Sequence, residues 1–193
     1  MNQSPARLVL RTLNGPWHKG ANLLLIGIVF GHWVEHVMQA FQVYGLKQPP
    51  THAHGAIGLL SPWLVTSEWL HFGYVGSILV GLALLQPGFT GRSRVWWNAA
   101  LAIQGWHAME HSLLLMQVLL GHNLFGAPAP TSLMQLVIPR LELHLFYNAI
   151  GLIPMVMGLF YHLRWPVGDS PASCRCAQSS VLWARASLRP TNR

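Results

Sequence analysis

Four apolar runs, each long enough to cross a bilayer, limit what this chain can become. They cover about residues 21–45, 62–85, 95–121 and 138–163. A hydrocarbon core about 30 Å thick takes roughly 20 helical residues to cross. Backbone N–H and C=O groups find no water there, so a spanning segment must satisfy them internally, as a helix does. Only 9% of the 193 residues are charged and 52% are hydrophobic, whereas soluble domains carry roughly a quarter charged residues. The expected fold is an all-α membrane protein whose four transmembrane helices form a four-helix bundle.

Within those runs lie residues that hydrocarbon does not tolerate without a reason. The first contains His32-Trp33-Val34-Glu35-His36, and the third repeats the pattern 75 residues later as His107-Ala108-Met109-Glu110-His111. Residues i, i+3 and i+4 share a helix face, so both imidazoles and the carboxylate of each motif point one way. Ionisable residues inside a membrane mark a site by default. The second run adds Glu68 and His71, the fourth Glu142 and His144. Glu35 and Glu110, His36 and His111, and Gln42 and Gln117 are each 75 apart; Glu68 and Glu142 are 74 apart, and His71 and His144 are 73 apart. The chain therefore reads as one two-helix unit used twice, about 21–85 and 95–163. Each unit leaves and re-enters on the same side, so the two repeats are parallel.

Depth brings the motifs together. The first lies roughly 9–13 residues before the end of its span, and Glu68 and His71 roughly 6–9 residues after the start of theirs. At about 1.5 Å per residue these depths nearly coincide. Six histidines and four glutamates are thus expected in one layer. One charge at mid-membrane costs about 2.5–3.5 kcal/mol, and two divalent cations would offset four carboxylates. The candidate metal ligands are His32, Glu35, His36, Glu68, His71, His107, Glu110, His111, Glu142 and His144. Imidazole with carboxylate suits iron, the favoured ion, and also zinc or manganese. Carboxylate-bridged di-metal sites in helix bundles are similar in kind but poorer in histidine. H-x-x-E-H also spells inverted zinc peptidases, which are single soluble sites, and the match is read as coincidence. Glu142 and His144, two apart, cannot share a face of a regular helix. His144 is the expected ligand of the two; pairing with Arg140 or helix capping are the other readings of Glu142. A b-type haem, usually held between two facing histidines, explains the pattern less well, because it needs one histidine per helix and leaves the glutamates unbalanced.

Other features have plainer readings. His162 is expected to hydrogen-bond a neighbouring helix. His52, His54 and His122 fall in loops, solvated or on a route for metal ions. Trp33, Trp69 and Trp106 flank the cluster and could shield it, while most of the tryptophans read as interfacial belt and packing. Gly27, Gly31, Gly73, Gly76 and Gly81 read as close-approach points between helices. Cys174 and Cys176 form a lone C-x-C, expected as reduced, unpaired thiols, with metal capture or acylation as the alternatives.

Basic residues cluster in segment 1–20, in the 86–94 loop and in tail 164–193, and they make up most of the net charge of +7. That pattern orients helices and does not suggest nucleic acid. It predicts a multi-pass protein of the cell (inner) membrane with both termini cytoplasmic. The tail is expected to be poorly ordered, with Val181-Leu182-Trp183 touching the membrane surface. A histidine-rich site buried in lipid suits an oxidoreductase that uses oxygen on a lipid-soluble substrate, by hydroxylation, desaturation or quinol oxidation; a di-zinc hydrolase would use the same ligands. The alternatives are a proton or metal-ion relay or transport protein and a haem b electron-transfer subunit of a larger membrane complex. No catalytic residue is assigned.

Overall fold

The computed structural model describes residues 4–164 together with Cys174 and Cys176. Among these the chain is all-helical, without a strand. The expectations for the rest of the 164–193 tail, including Val181-Leu182-Trp183, lie outside the described residues.

Helix α1 (Pro5–Leu13) starts on a proline, whose missing N–H costs nothing in a first turn. It leaves Leu8 and Val9 exposed. Asn14 ends it, and its side-chain amide donates to the carbonyls of Leu10 (3.0 Å) and Leu84 (2.8 Å). Helix α2 (His18–Ala40) continues through a π-helical turn, Phe41–Gly45. A 3-10 turn, Pro50–His52, and two single-turn helices, α3 (Ile57–Leu60) and α4 (Trp63–Thr66), lead to α5 (Glu68–Leu85). Helix α6 (Gly91–Leu120) opens on a capping box made by Thr90 and Ser93 and closes on Gly121 at φ 66°, a left-handed conformation that glycine adopts without strain. Short 3-10 turns at Leu124–Gly126 and Met134–Leu136 precede α7 (Arg140–Arg164), which runs through Pro154.

The second apolar run departs from expectation. In the sequence Ser61-Pro62 reads as an N-cap followed by a proline at the first helical position; in the structure Pro62 is itself the N-cap of a single turn, α4, and Ser67 is extended at φ −76°, ψ 117°. The Ser67 carbonyl then receives both the backbone N–H (3.2 Å) and the ring Nδ1–H (3.1 Å) of His71. Glu68 therefore heads the long helix, and His71 lies one turn in. Glu142 and His144 occupy the equivalent place at the start of α7.

Helix α6 packs between α5 and α7, and α2 lies against both α7 and α5. At the end where α2 begins and α5 ends, the space is filled by Leu25, Val29, Ile78, Leu82, Trp97 and Met155. Trp97 is a core residue there, not a belt residue. Its indole N–H donates to the Leu82 carbonyl (2.9 Å) and its ring stacks on Phe89 at 4.1 Å. Of the five glycines expected at close approaches, only Gly81 meets a neighbouring side chain, that of Leu25; Gly27, Gly31, Gly73 and Gly76 face open space.

Three helical stretches, His18–Gly45, Glu68–Gly88 and Arg140–Arg164, are long and apolar enough to cross a membrane. Their outward residues, such as Leu24, Val80 and Ile153, are 57–66% exposed, and large contiguous apolar surface of this kind belongs against lipid or protein. Helix α6 is longest at 30 residues. Its apolar average is lowered by Ser93, His107, Glu110, His111 and Gln117, all of which are buried.

Candidate metal centre

The six histidines of the four long helices form one connected cluster. His32 and His36 stand one turn apart on α2, with Nε2 atoms 3.1 Å apart. His107 and His111 repeat this on α6, with ring centroids 4.8 Å apart. His71 and His144 reach in from the first turns of α5 and α7. His144 is central: its ring centroid lies 4.8 Å from His36, 5.4 Å from His111 and 5.9 Å from both His71 and His107. Two triads could each hold a metal ion, His36 with His71 and His144, and His107 with His111 and His144; within each, the ligand atoms all lie within 4.8 Å of one another.

Hydrogen bonds on the outer ring nitrogens prepare the inner ones. Nδ1–H of His36 donates to the Gln39 side-chain oxygen (2.7 Å), that of His71 to the Ser67 carbonyl (3.1 Å), and that of His144 to the Arg140 carbonyl (2.7 Å). Each bond fixes the tautomer and leaves the Nε2 lone pair facing inward, which is how proteins present imidazole to metals. Nε2 of His107, Nδ1 of His111 and Nε2 of His144 are buried without a hydrogen-bond partner among the described residues. Buried polar atoms are almost always satisfied, so three such nitrogens in one place point to something they share. His32 stacks on Tyr74 (4.1 Å) and His107 on Tyr147 (4.6 Å).

The glutamates sit differently from the imidazoles, and neither triad contains one. The Glu35 carboxylate accepts the backbone N–H groups of Ala56 (3.1 Å) and Ile57 (2.9 Å), holding the entry to α3. A Cβ at Gly55 would fall on that carboxylate. Glu110 accepts the N–H of Met134 (2.8 Å) and a hydrogen bond from Tyr147; Tyr147 in turn accepts from the Trp106 indole (2.7 Å). Gln42 and Gln117 tie down the same two loops, through Gly55 N–H and through the N–H groups of Leu124 and Thr131. Glu142 accepts the Tyr44 hydroxyl. Arg140 pairs with Glu68 at 2.5 Å, not with Glu142. Among the four, Glu68 keeps one buried oxygen, Oε2, with no partner among the described residues. The carboxylates thus have partners of their own, and the case for metal passes from their charge to the imidazole nitrogens.

Two larger cavities reach the cluster, beside a small one of about 10 Å³ among His107, Glu110, His111 and His144. One of about 430 Å³ descends from the loops, past His54, to His36, His71 and His144. The other, about 410 Å³, lies between α2 and α5, where Ile28, Leu70 and Ile57 lead to His32 and His71. His52 and His122 are exposed and line neither cavity.

A second group of possible ligands was not foreseen. His18, His162, Cys174 and Cys176 are all buried and their ligand atoms lie within 4.8 Å of one another. The expected partner of His162 on a neighbouring helix is His18 of α2, at 3.2 Å. The two thiols are not in a disulfide, but they are packed inside and not left at the surface. Hydrogen bonding from Cys176, His162 and His18 draws the Cys174 thiol well below its ordinary pKa. C-x-C was the one visible signal; His18 lies 156 residues from Cys174, and no spacing rule joins them. Comparisons with protein-family models, with curated proteins and with solved structures found no match to this chain, and the functional reading rests on its own residues.

Proposed function

We propose that this chain is a four-span membrane oxidoreductase in which two metal ions, held mainly by imidazole, sit in one layer of the bilayer and act on a lipid-soluble substrate with oxygen. The observation that carries the reading is the triad His107, His111 and His144, whose ligand atoms lie within 4.8 Å of one another and each of which has a buried ring nitrogen without a partner among the described residues. His144 serves one ion only, because its Nδ1–H is committed to the Arg140 carbonyl. His107, His111 and His144 then hold one ion, and His36 and His71, with His32 beside His36, hold the other. That assignment draws three histidines from each half of the chain, in keeping with two parallel repeats. Three imidazoles leave positions open on an ion, and iron, copper or zinc accept such donors; iron is proposed because histidine with a nearby carboxylate and open positions suits non-haem iron that activates oxygen. Glu68 Oε2, buried without a partner among the described residues, is the carboxylate oxygen still free to join them, and Glu35 and Glu110 offset positive charge at one remove.

The cavity between α2 and α5 supports a lipid-soluble substrate, such as a quinol or an acyl chain, because its apolar walls open between two membrane-facing helices. A transport protein would need polar lining on both sides of the cluster. The Leu25, Ile78, Leu82 and Trp97 core fills the other side. A haem fits less well, since a porphyrin between any two of these rings would run through the others. In this reading helix α6 is the fourth span, with its polar face turned inward, and the basic ends support cytoplasmic termini.

Elemental analysis and oxygen uptake on the detergent-purified protein test this reading. The imidazole layer should hold about two ions, as in other paired bundle sites. That metal should fall sharply in a His36→Ala, His111→Ala variant, and oxygen uptake with a short-chain quinol should fall with it. Equal metal in the unmodified and variant proteins would overturn the proposal.

A further inference from the structure

The group His18, His162, Cys174 and Cys176 lies at the opposite end of the helices from the imidazole cluster. His18 precedes His32 by 14 residues on α2, about 21 Å at 1.5 Å per residue. It cannot take part in chemistry at the other site, and the proposed function does not use it. Its four side chains are among the most buried polar groups in the protein: His18 is 0%, His162 2%, Cys176 3% and Cys174 4% exposed.

Their separations are those of ligands around one small ion. His18 Nδ1 is 3.2 Å from His162 Nε2. Cys174 Sγ is 3.3 Å from His162 Nε2 and 3.6 Å from His18 Nδ1, and Cys176 Sγ is 3.7 Å from His18 Nδ1. With zinc–sulfur bonds of about 2.3 Å and zinc–nitrogen bonds of about 2.0–2.1 Å, a tetrahedron sets two nitrogens about 3.3–3.4 Å apart and nitrogen from sulfur about 3.5–3.6 Å apart. The observed values scatter around these. A two-iron cluster would split the histidines and cysteines between two metals, whereas here all four ligand atoms surround one point.

The surroundings fit as well. His18 Nε2–H donates to the Leu85 carbonyl (3.3 Å), which fixes the tautomer and leaves Nδ1 as the donor toward the group. Phe89 meets the His18 ring at 4.9 Å and the His162 ring at 5.0 Å, and so excludes water. A Cβ at position 88 would run into the His18 ring, so only glycine admits the imidazole there. Two thiolates and two neutral imidazoles around a divalent ion sum to zero charge, the cheapest state in a buried place.

We infer that His18, His162, Cys174 and Cys176 form a closed, structural zinc site that fastens the C-terminal segment to the start of α2 and the end of α7. Four protein ligands leave no open position, the mark of a structural site. The ion joins residues 156 apart in sequence, so it constrains the whole chain.

The test uses the full-length protein purified in detergent, with zinc measured directly and then exchanged for cobalt(II). The cobalt form should show thiolate-to-metal charge-transfer absorption, which the all-imidazole layer cannot produce. About one zinc per chain and that absorption should both vanish in a Cys174→Ser, Cys176→Ser variant, while the metal of the imidazole layer stays. A second measurement needs no variant: N-ethylmaleimide should modify the two thiols slowly until a chelator is added. Absence of the charge-transfer absorption, a disulfide joining the two cysteines, or alkylation indifferent to chelator would each overturn the zinc site.

Discussion

His144 and Glu35 illustrate two ways a polar side chain can be held inside a long apolar helix. His144 gives one ring nitrogen to its own helix and leaves the other unpartnered among the described residues, with four more imidazoles around its ring. Glu35 spends both oxygens on backbone N–H groups of the following loop. The two positions should therefore respond differently to substitution. His144→Ala should lower the metal content of the imidazole layer and abolish turnover, with helicity by circular dichroism unchanged. Glu35→Gln keeps one acceptor and loses the charge, and should cost about 1–3 kcal/mol of stability. Thermal melting would show that loss while elemental analysis shows metal retained. Metal lost at unchanged stability would instead make Glu35 a ligand.

Each long helix carries part of the imidazole cluster toward one end and runs from it into the apolar core. The first turns of α5 and α7 carry His71 and His144 and are joined by the Glu68–Arg140 pair. Further along, α5 and α6 are locked by Trp97, which is fully buried, stacked on Phe89 and bonded to the Leu82 carbonyl. Truncating a buried aromatic costs about 3–5 kcal/mol through lost burial and the cavity left behind. Trp97→Ala should cost stability in the upper part of that range, because the Leu82 carbonyl also loses its donor, and thermal melting in detergent would read the loss as a lower transition. Metal in the imidazole layer should be unaffected at temperatures below the transition.

As a whole the molecule places a layer of imidazoles near one end of its long helices and a thiol–imidazole group near the other, with an apolar core between them. Basic residues lie with the thiol–imidazole group, in segment 1–20 and in the 86–94 loop. If the chain spans a membrane as proposed, the positive-inside rule expects that end in the cytoplasm. Epitope tags at either terminus should be protected from protease added outside intact cells, while a tag inserted near His122 should be cleaved. Cleavage of a terminal tag would invert the orientation, and with it the side from which the larger cavity is reached.

The helical, membrane-suited character of the chain and the residues of its main cluster are legible in the linear sequence. Run length and the spacings of 3 and 4 are local properties of one helix, and the helix period turns them directly into geometry. That reading put His32, His36, His71, His107, His111 and His144 in one layer, where the structure brings them together. It also treated the glutamates as their equals. Which partner a carboxylate takes depends on loops that fold back over it, and no helix period foretells that Glu35 meets Ala56 and Ile57 or that Arg140 chooses Glu68 over Glu142. The break at Ser67 is of the same kind, because an N-cap and proline at Ser61-Pro62 are good local signals that the later start at Glu68 overrides. Least visible of all was the group of His18, His162, Cys174 and Cys176. Its members come from opposite ends of the chain, and only the packing of α2 beside α7 brings those ends within bonding distance.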